Sequence, residues 1–407
     1  MEVLRLRTAV TRVAAGKLQN AIASLSPDGR LRDMHVYHAA HTGRYGGRRV
    51  QVQNLPGAVA GLDIPKLLEA GVTYDNIVAA AGDFASPDDV ISSLVRLCFV
   101  AAPGKVLLVC DYASIEARIV AWLAGETELL ESFAAGRDTY CEMASRIYGR
   151  PITKADKAER KVGKDTVLGC GYQMSDSKFA IRAAMQGVDL AASGTSALEC
   201  VEAFRSAFPK IAGHPVGEYS GRTCRRGGLW HNLGDCVLRC ARGDTYIGEV
   251  NRINFARRGP HMEIILPSGR ALVYRNVRVE DRVPGYATLL GINAKPKPTV
   301  VYIDPRHGEK VLYGGKVTEN VSQGIGADLL NTTLRRCELV AEIPVVVHVH
   351  DEIVSEVPEE LCESKLRQQH SIMVAGAEWS KGLPIAAEGH ACPRYSKTPW
   401  PGFPTIK

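Results

Sequence analysis

No run of apolar residues in this chain approaches the roughly 20 that a membrane-spanning helix needs. The first residues, from Met1 to Arg7, lack the apolar core of a secretory signal. The expectation is therefore a protein that does not engage a membrane. No internal repeat of solenoid period and no low-complexity tract is present. No Cys-x-x-Cys pair occurs either, and the 11 cysteines are an odd, scattered set. That pattern argues against a disulfide scaffold and for a reducing cytoplasm. Cys224, His231, Cys236 and Cys240 lie near one another, but their spacing fits no common zinc finger, and ordinary thiols are the better reading.

What remains is an ordinary enzyme composition. At 407 residues, 45% hydrophobic and 23% charged, the chain can bury a sizeable core in about two to three domains. Its net charge of +6 suits a polyanionic partner without proving one.

Residues 1–26 read as a helix with an imperfect apolar stripe (Val3, Leu4, Leu6, Val10, Val13, Leu18), and Ser26-Pro27-Asp28-Gly29 as a turn. Residues 105–110 form a short strand-like run. The stretch from 137 to about 225 is mostly helical in pattern. Strand signals return at 262–266 and 271–274, around a Pro267-Ser268-Gly269 turn. Residues 318–340 are helical, and 344–357 look like a hairpin. Strands and helices in blocks, without strict alternation, predict an α+β fold.

Three constellations carry chemistry. In the first, the run Val106-Leu107-Leu108-Val109-Cys110 delivers Asp111 at a strand end. A helix follows with Ile115, Ile119, Trp122 and Leu123 at helical spacing, and Gly125 is placed to stop it. Asp111 could hold a metal on a rigid base, or merely cap the helix. In the second, Arg160, Lys164, Leu168 and Tyr172 recur every fourth residue, which puts them on one broad helix face. The face is cationic at one end and apolar-aromatic at the other, matching the polarity of a nucleoside triphosphate. A solvated basic helix is the plainer alternative. Gly163, Gly169 and Gly171 weaken that helix and suggest a close approach to its backbone, such as by a template strand. In the third, two β-rich runs flank His350-Asp351-Glu352, suggesting a turn in a sheet largely buried on one face.

Together, Asp111 and Asp351 could hold two magnesium ions about 3.5–4 Å apart, one activating a primer 3′-hydroxyl and one neutralising a triphosphate and its leaving pyrophosphate. Lys164 and Arg160 would add charge stabilisation along the same phosphates. Oxygen donors suit magnesium or manganese, not zinc.

These residues resemble the motifs of family A DNA polymerases, of the bacterial and phage type. Residues 111–118 resemble motif A, Arg160-x3-Lys164-x3-Leu168-Gly169-x2-Tyr172 motif B, and Val349-His350-Asp351-Glu352 motif C. Thr42-Gly43-Arg44 and Gln53-Asn54-Leu55-Pro56 resemble the segment that meets the primer–template minor groove, and Gln323-Gly324 the template-contacting glutamine. The resemblance implies a right-hand architecture with an antiparallel palm sheet and helical fingers. It divides the chain into a thumb remnant (1–37), a first palm part (38–136), fingers (137–260), and a second palm part with the C-terminal segment (261–407).

It also implies roles. Asp111, Asp351 and the Tyr112 carbonyl would bind two Mg2+ ions, with Mn2+ an alternative. Glu352 would be an accessory acid and Glu116 a steric gate against a ribose 2′-hydroxyl. Arg160 and Lys164 would hold the triphosphate, with Leu168 and Tyr172 beside the nucleotide. Arg44, Gln53, Asn54, Gln323 and His350 would contact DNA. The implied partners are primer–template DNA and deoxynucleoside triphosphates.

The sequence departs from the family at Leu168, where better-known members have Phe or Tyr, and at Gln173, where a glycine is usual. Only about 40 residues precede the Thr42-Gly43-Arg44 element, so the expectation is a stub of thumb, no exonuclease domain, and weak, salt-dependent DNA binding. A separate chain supplying the missing parts, a fragment and a decayed gene all fit. The rival functions are a single-subunit RNA polymerase, an inactive DNA-binding relic and, less well matched, a metal-dependent nuclease. Arg48-Arg49, Arg225-Arg226 and Arg257-Arg258 receive no role.

Overall fold

The computed structural model describes residues 13–59, 61–82, 85–219, 222–283 and 295–407. The expected first helix is seen as Val13–Ala23, and the part of that reading before residue 13 lies outside the described residues. The chain forms two compact units, one from 1–113, 329–376 and 385–407, the other from 114–328 and 377–384.

The first unit is built on a five-stranded antiparallel sheet. Its strands are β1 (Lys105–Tyr112), β2 (Val345–Val349), β3 (Glu352–Pro358), β4 (Ala387–Cys392) and β5 (Thr405–Ile406), in the order β2-β3-β1-β4-β5. β1 is central, and its residues Val106 to Cys110 are all buried, which is why it reads as an unbroken apolar run. Leu107 and Val109 face a core with Met34, Val52, Val95, Val354 and Tyr395. The alternate residue Cys110 faces Gly389 of β4 and Leu366 of the helix Cys362–Val374. A Cβ at Gly389 would come within 2.5 Å of the Cys110 sulfur, so this register needs a glycine there.

The second unit contains helices α1 (Ile115–Ala124), α2 (Thr139–Tyr148) and α3 (Lys157–Cys170). Gly125 ends α1 in a left-handed conformation at φ 65°, as its placement predicts. Asp138 caps α2 by accepting from the amides of Tyr140 (3.2 Å) and Cys141 (3.1 Å). The helical reading of 137–225 needs correction at its end, where His214–Tyr219 and Arg222–Arg226 pair as an antiparallel hairpin. Pro215 and Gly217 break the helical pattern there.

The two strands expected near residue 265 are present, but they belong to a larger structure. Six strands, from Tyr246–Val250 to Gly308–Leu312, run in sequence order as an antiparallel sheet. The outermost, Gly308–Leu312, is exposed at four of its five residues and so carries little apolar signal. The helix Gly228–Arg242 packs on this sheet. A long helix, α4 (Gly314–Leu339), follows. No helix among the described residues is long and apolar enough to cross a membrane.

Candidate active site

β1 ends on Asp111 and Tyr112, and its neighbours make that end acidic. Asp111 stands in register with Glu352 of β3 on one side and with Glu388 of β4 on the other. Like charges directly opposed across strands are destabilising, so this row has a local cost. β2 and β3 are joined by a two-residue turn, His350-Asp351, with Val349 and Glu352 paired below it. His350 adopts φ 55°, a left-handed conformation costing about 1–2 kcal/mol for a residue with a Cβ. The turn brings Asp351 to the end of β1, where its carbonyl accepts from the Tyr112 amide at 3.1 Å.

The electrostatics follow from that crowding. Burial, and then the charge of Asp111, push Asp351 up to about 7. Burial also raises Asp111, with Lys397 opposing the rise and Glu352 and Glu388 reinforcing it. Oδ1 of Asp111 is buried and makes no hydrogen bond. An unsatisfied carboxylate oxygen beside a second crowded carboxylate fits a divalent cation, and hard oxygen donors fit magnesium or manganese. Among the described residues, no three His, Cys, Asp or Glu side chains gather into a metal cage. Two carboxylates suffice where water and phosphate oxygens fill the remaining positions.

Glu352 is fully buried. Tyr395 donates its hydroxyl to Oε1, and the Lys397 ammonium lies 2.7 Å from Oε2. Neither Tyr395 nor Lys397 carried a signal in the sequence, since both sit far along the chain and only the pairing of β4 with β1 returns them here.

The expected DNA-contacting residues of this unit lie as follows. Arg44 is half-buried, and its positive charge opposes a small part of the rise at Asp351. Gln53 turns its Oε1 into a buried position against Gly47. Asn54 is exposed, with its backbone carbonyl accepting from Lys17. His350 is exposed at the turn. His348, two residues earlier, is packed in a ring cluster. It stacks on His35 at 4.0 Å and meets Tyr45 edge-on at 4.2 Å.

In the second unit, Arg160, Lys164 and Leu168 lie along α3 as expected. Tyr172 does not share their helix, because α3 ends at Cys170 and Tyr172 sits in the turn beyond. Its hydroxyl donates to Oε2 of Glu116 at 2.7 Å. Glu116, Val120, Leu168, Tyr172, Phe204 and Ile211 line a shallow depression. Arg160 donates to Asp138 at 2.9 Å, with its guanidinium 5.4 Å from the centre of the Tyr140 ring. Lys164 is exposed, its ammonium 6.0 Å from the same ring. Gln323 lies half-buried on α4 and donates to Glu319 at 3.4 Å.

The close approach that the glycines suggest is present, and at Gly163 and Gly169 the neighbour is protein. A Cβ at Gly163 would come within 2.1 Å of the Tyr140 carbonyl and 2.9 Å of the Ala144 amide nitrogen, so the backbone approached closely is that of α2. Gly169 faces Met174.

With this geometry in hand, comparison with known proteins decides the family. The model of DNA polymerase family A matches residues 6–226. This chain belongs to DNA polymerase family A. A DNA polymerase of Bacillus phage SP02 is 30% identical over 97% of this family A chain and 57% of its own length. The thermostable DNA polymerase I of Thermus aquaticus is 28% identical over 34% of the chain and 17% of that enzyme. Among solved structures, the POL domain of Pol1 from M. smegmatis, in complex with DNA primer-template and dNTP, shares the fold at a TM-score of 0.58 and 19% identity. That match covers 94% of this chain and 51% of its counterpart. The chain thus spans little more than half the length of its phage relative. The α+β fold expected from the sequence is the one observed.

Proposed function

We propose that this chain carries out template-directed DNA synthesis, adding deoxynucleotides to a primer 3′-hydroxyl with release of pyrophosphate. The observation that carries the reading is the crowding of Asp111 and Asp351 at one end of the five-stranded sheet, with a buried carboxylate oxygen left unpaired. Asp111, Asp351 and the Tyr112 carbonyl would hold two Mg2+ or Mn2+ ions, and such ions would supply the positive charge that favours an ionised 3′-hydroxyl and a leaving pyrophosphate.

The chain's own residues bind and orient the substrates. Lys164 and Arg160 take the triphosphate oxygens, as charge-assisted donors suit. Leu168 and Tyr172 give the base and sugar an apolar-aromatic wall. Glu116, held by Tyr172, excludes a ribose 2′-hydroxyl by occupying the space it needs. Glu352 buttresses the turn that carries Asp351. Arg44, Gln53, Asn54, Gln323 and His350 hold the primer–template. In this reading 38–136 and 261–407 form the palm and 137–260 the fingers.

Single-nucleotide incorporation tests the reading against an RNA polymerase. Deoxynucleotides should be incorporated in preference to ribonucleotides, and the opposite preference would overturn it.

A further inference from the structure

The acidic end of β1 has a cation of its own. Lys397 places its ammonium 2.7 Å from Oε2 of Glu352 and 3.4 Å from Oδ2 of Asp111. Its loop is fastened on several sides. The Tyr395 amide donates to the Phe99 carbonyl at 2.9 Å. His390 Nε2 donates to the Ser396 carbonyl at 3.1 Å, and the Thr398 amide to the Ser396 hydroxyl at 3.1 Å. Arg96 lies over the Tyr395 ring at 4.7 Å, and the Tyr395 hydroxyl reaches Glu352. The segment that carries Lys397 is thus fixed immediately before and after it.

The row it serves needs a positive charge. Glu352, Asp111 and Glu388 stand side by side in strand register, and Asp351 joins them at the turn. Fixed cations beside carboxylates hold those carboxylates ionised and in place. The same cation repels any other that approaches the same oxygens.

We propose that Lys397 is a positioning residue: it acts as the built-in counter-cation of this acidic row, ordering the Asp111 and Glu352 carboxylates before a divalent ion arrives and competing with that ion for Asp111. The inference rests on the proposed metal-binding role of Asp111 and Asp351. It makes metal loading of the free protein weaker than the carboxylates alone would allow.

The test is a Mn2+ titration of the whole chain without DNA or nucleotide, read by loss of the free-ion electron paramagnetic resonance signal. Lys397→Met and Lys397→Gln, changes at a side chain that is 39% exposed, should each bind Mn2+ more tightly. A gain of about fivefold or more is the order expected from removing one unit charge a few ångströms away in a partly screened site. Lys397→Arg should retain wild-type affinity, which a purely structural role for the lysine stem would not predict. Asp111→Asn serves as the reference. If it weakens Mn2+ binding while Lys397→Met and Lys397→Gln leave affinity unchanged or lower, the counter-cation role is wrong and the metal site stands. If Asp111→Asn leaves Mn2+ binding intact, both the metal site and this inference fail.

Discussion

Tyr172 and Glu116 are joined by a 2.7 Å hydrogen bond, phenol to carboxylate, although 56 positions separate them in the chain. The bond fixes the glutamate against the depression that Leu168 also lines. In the proposed reaction this is where the sugar of the incoming nucleotide is judged. Glu116→Ala should therefore admit ribonucleotides, lowering discrimination by about tenfold or more, or about 1.4 kcal/mol of transition-state preference. Tyr172→Phe should have a smaller effect, since the carboxylate remains. Kinetics of single ribo- and deoxynucleotide additions measure both. Unchanged discrimination in Glu116→Ala would remove the gate.

Arg160 and Lys164 are neighbours on α3 but are held differently. Arg160 pairs with Asp138, the residue that caps α2, whereas Lys164 extends from an exposed position near the Tyr140 ring. Lys164→Ala should lower kcat/KM for nucleotide by about 100-fold, the scale of losing a charged donor to the reacting phosphates, and leave DNA affinity unchanged. Arg160→Ala should show a nucleotide defect together with a stability loss of about 1 kcal/mol, since a half-exposed ion pair is lost with it. Nucleotide-concentration series and thermal melts separate the two. A defect of Lys164→Ala confined to DNA binding would contradict the role given to α3.

Gly163 sits where α2 and α3 touch backbone to backbone. Gly163→Ala would push a methyl group into the Tyr140 carbonyl, where only main-chain movement makes room. The expected cost is about 2–3 kcal/mol, despite the better helix propensity of alanine. Denaturant melts check it, and a variant as stable as the wild type would show that the two helices can part freely.

His348 is buried against His35 and Tyr45, and burial, then the nearby His35, lower it from 6.5 to about 3. The unfolded chain takes up a proton near pH 6.5 that the folded ring refuses. Its contribution to stability is therefore complete above pH 6.5 and is lost as pH falls, at about 1.4 kcal/mol per unit down to pH 3. Burial lowers His35 in the same direction. His348→Phe keeps the ring packing and removes the proton site, so its loss of stability between pH 7.5 and 5 should be smaller by about 2 kcal/mol. Equal losses in both proteins, measured by urea unfolding, would contradict this.

The parts of the fold legible in the sequence are those where burial writes a strong pattern. β1 is buried on both faces and reads as a solid apolar run, and Gly125 marks the end of α1. The turn bearing Asp351 stands out because apolar strands enclose two polar residues. The six-stranded sheet was only partly legible, since outer strands such as Gly308–Leu312 are mostly exposed and look like loop. Tyr172 misleads in another way, for a spacing of four continues the helix pattern past the point where α3 stops. Glycines 163 and 169 announce a close approach without saying to what, and α2 and Met174 are tertiary answers. The contacts of Lys397 and Tyr395 with Glu352 depend on strand register between distant segments, which no local pattern records.

The central claim is that Asp111 and Asp351 act together in nucleotide addition. Its most direct measurement is extension of a labelled primer on a template, with Mg2+ and four deoxynucleotides at low salt, by the wild-type chain and by Asp351→Ala. The account predicts extension by the wild type and a loss of about 1,000-fold or more in the variant, with the melting temperature held or raised as like-charge crowding is relieved. Extension by Asp351→Ala at a rate near that of the wild type would contradict it.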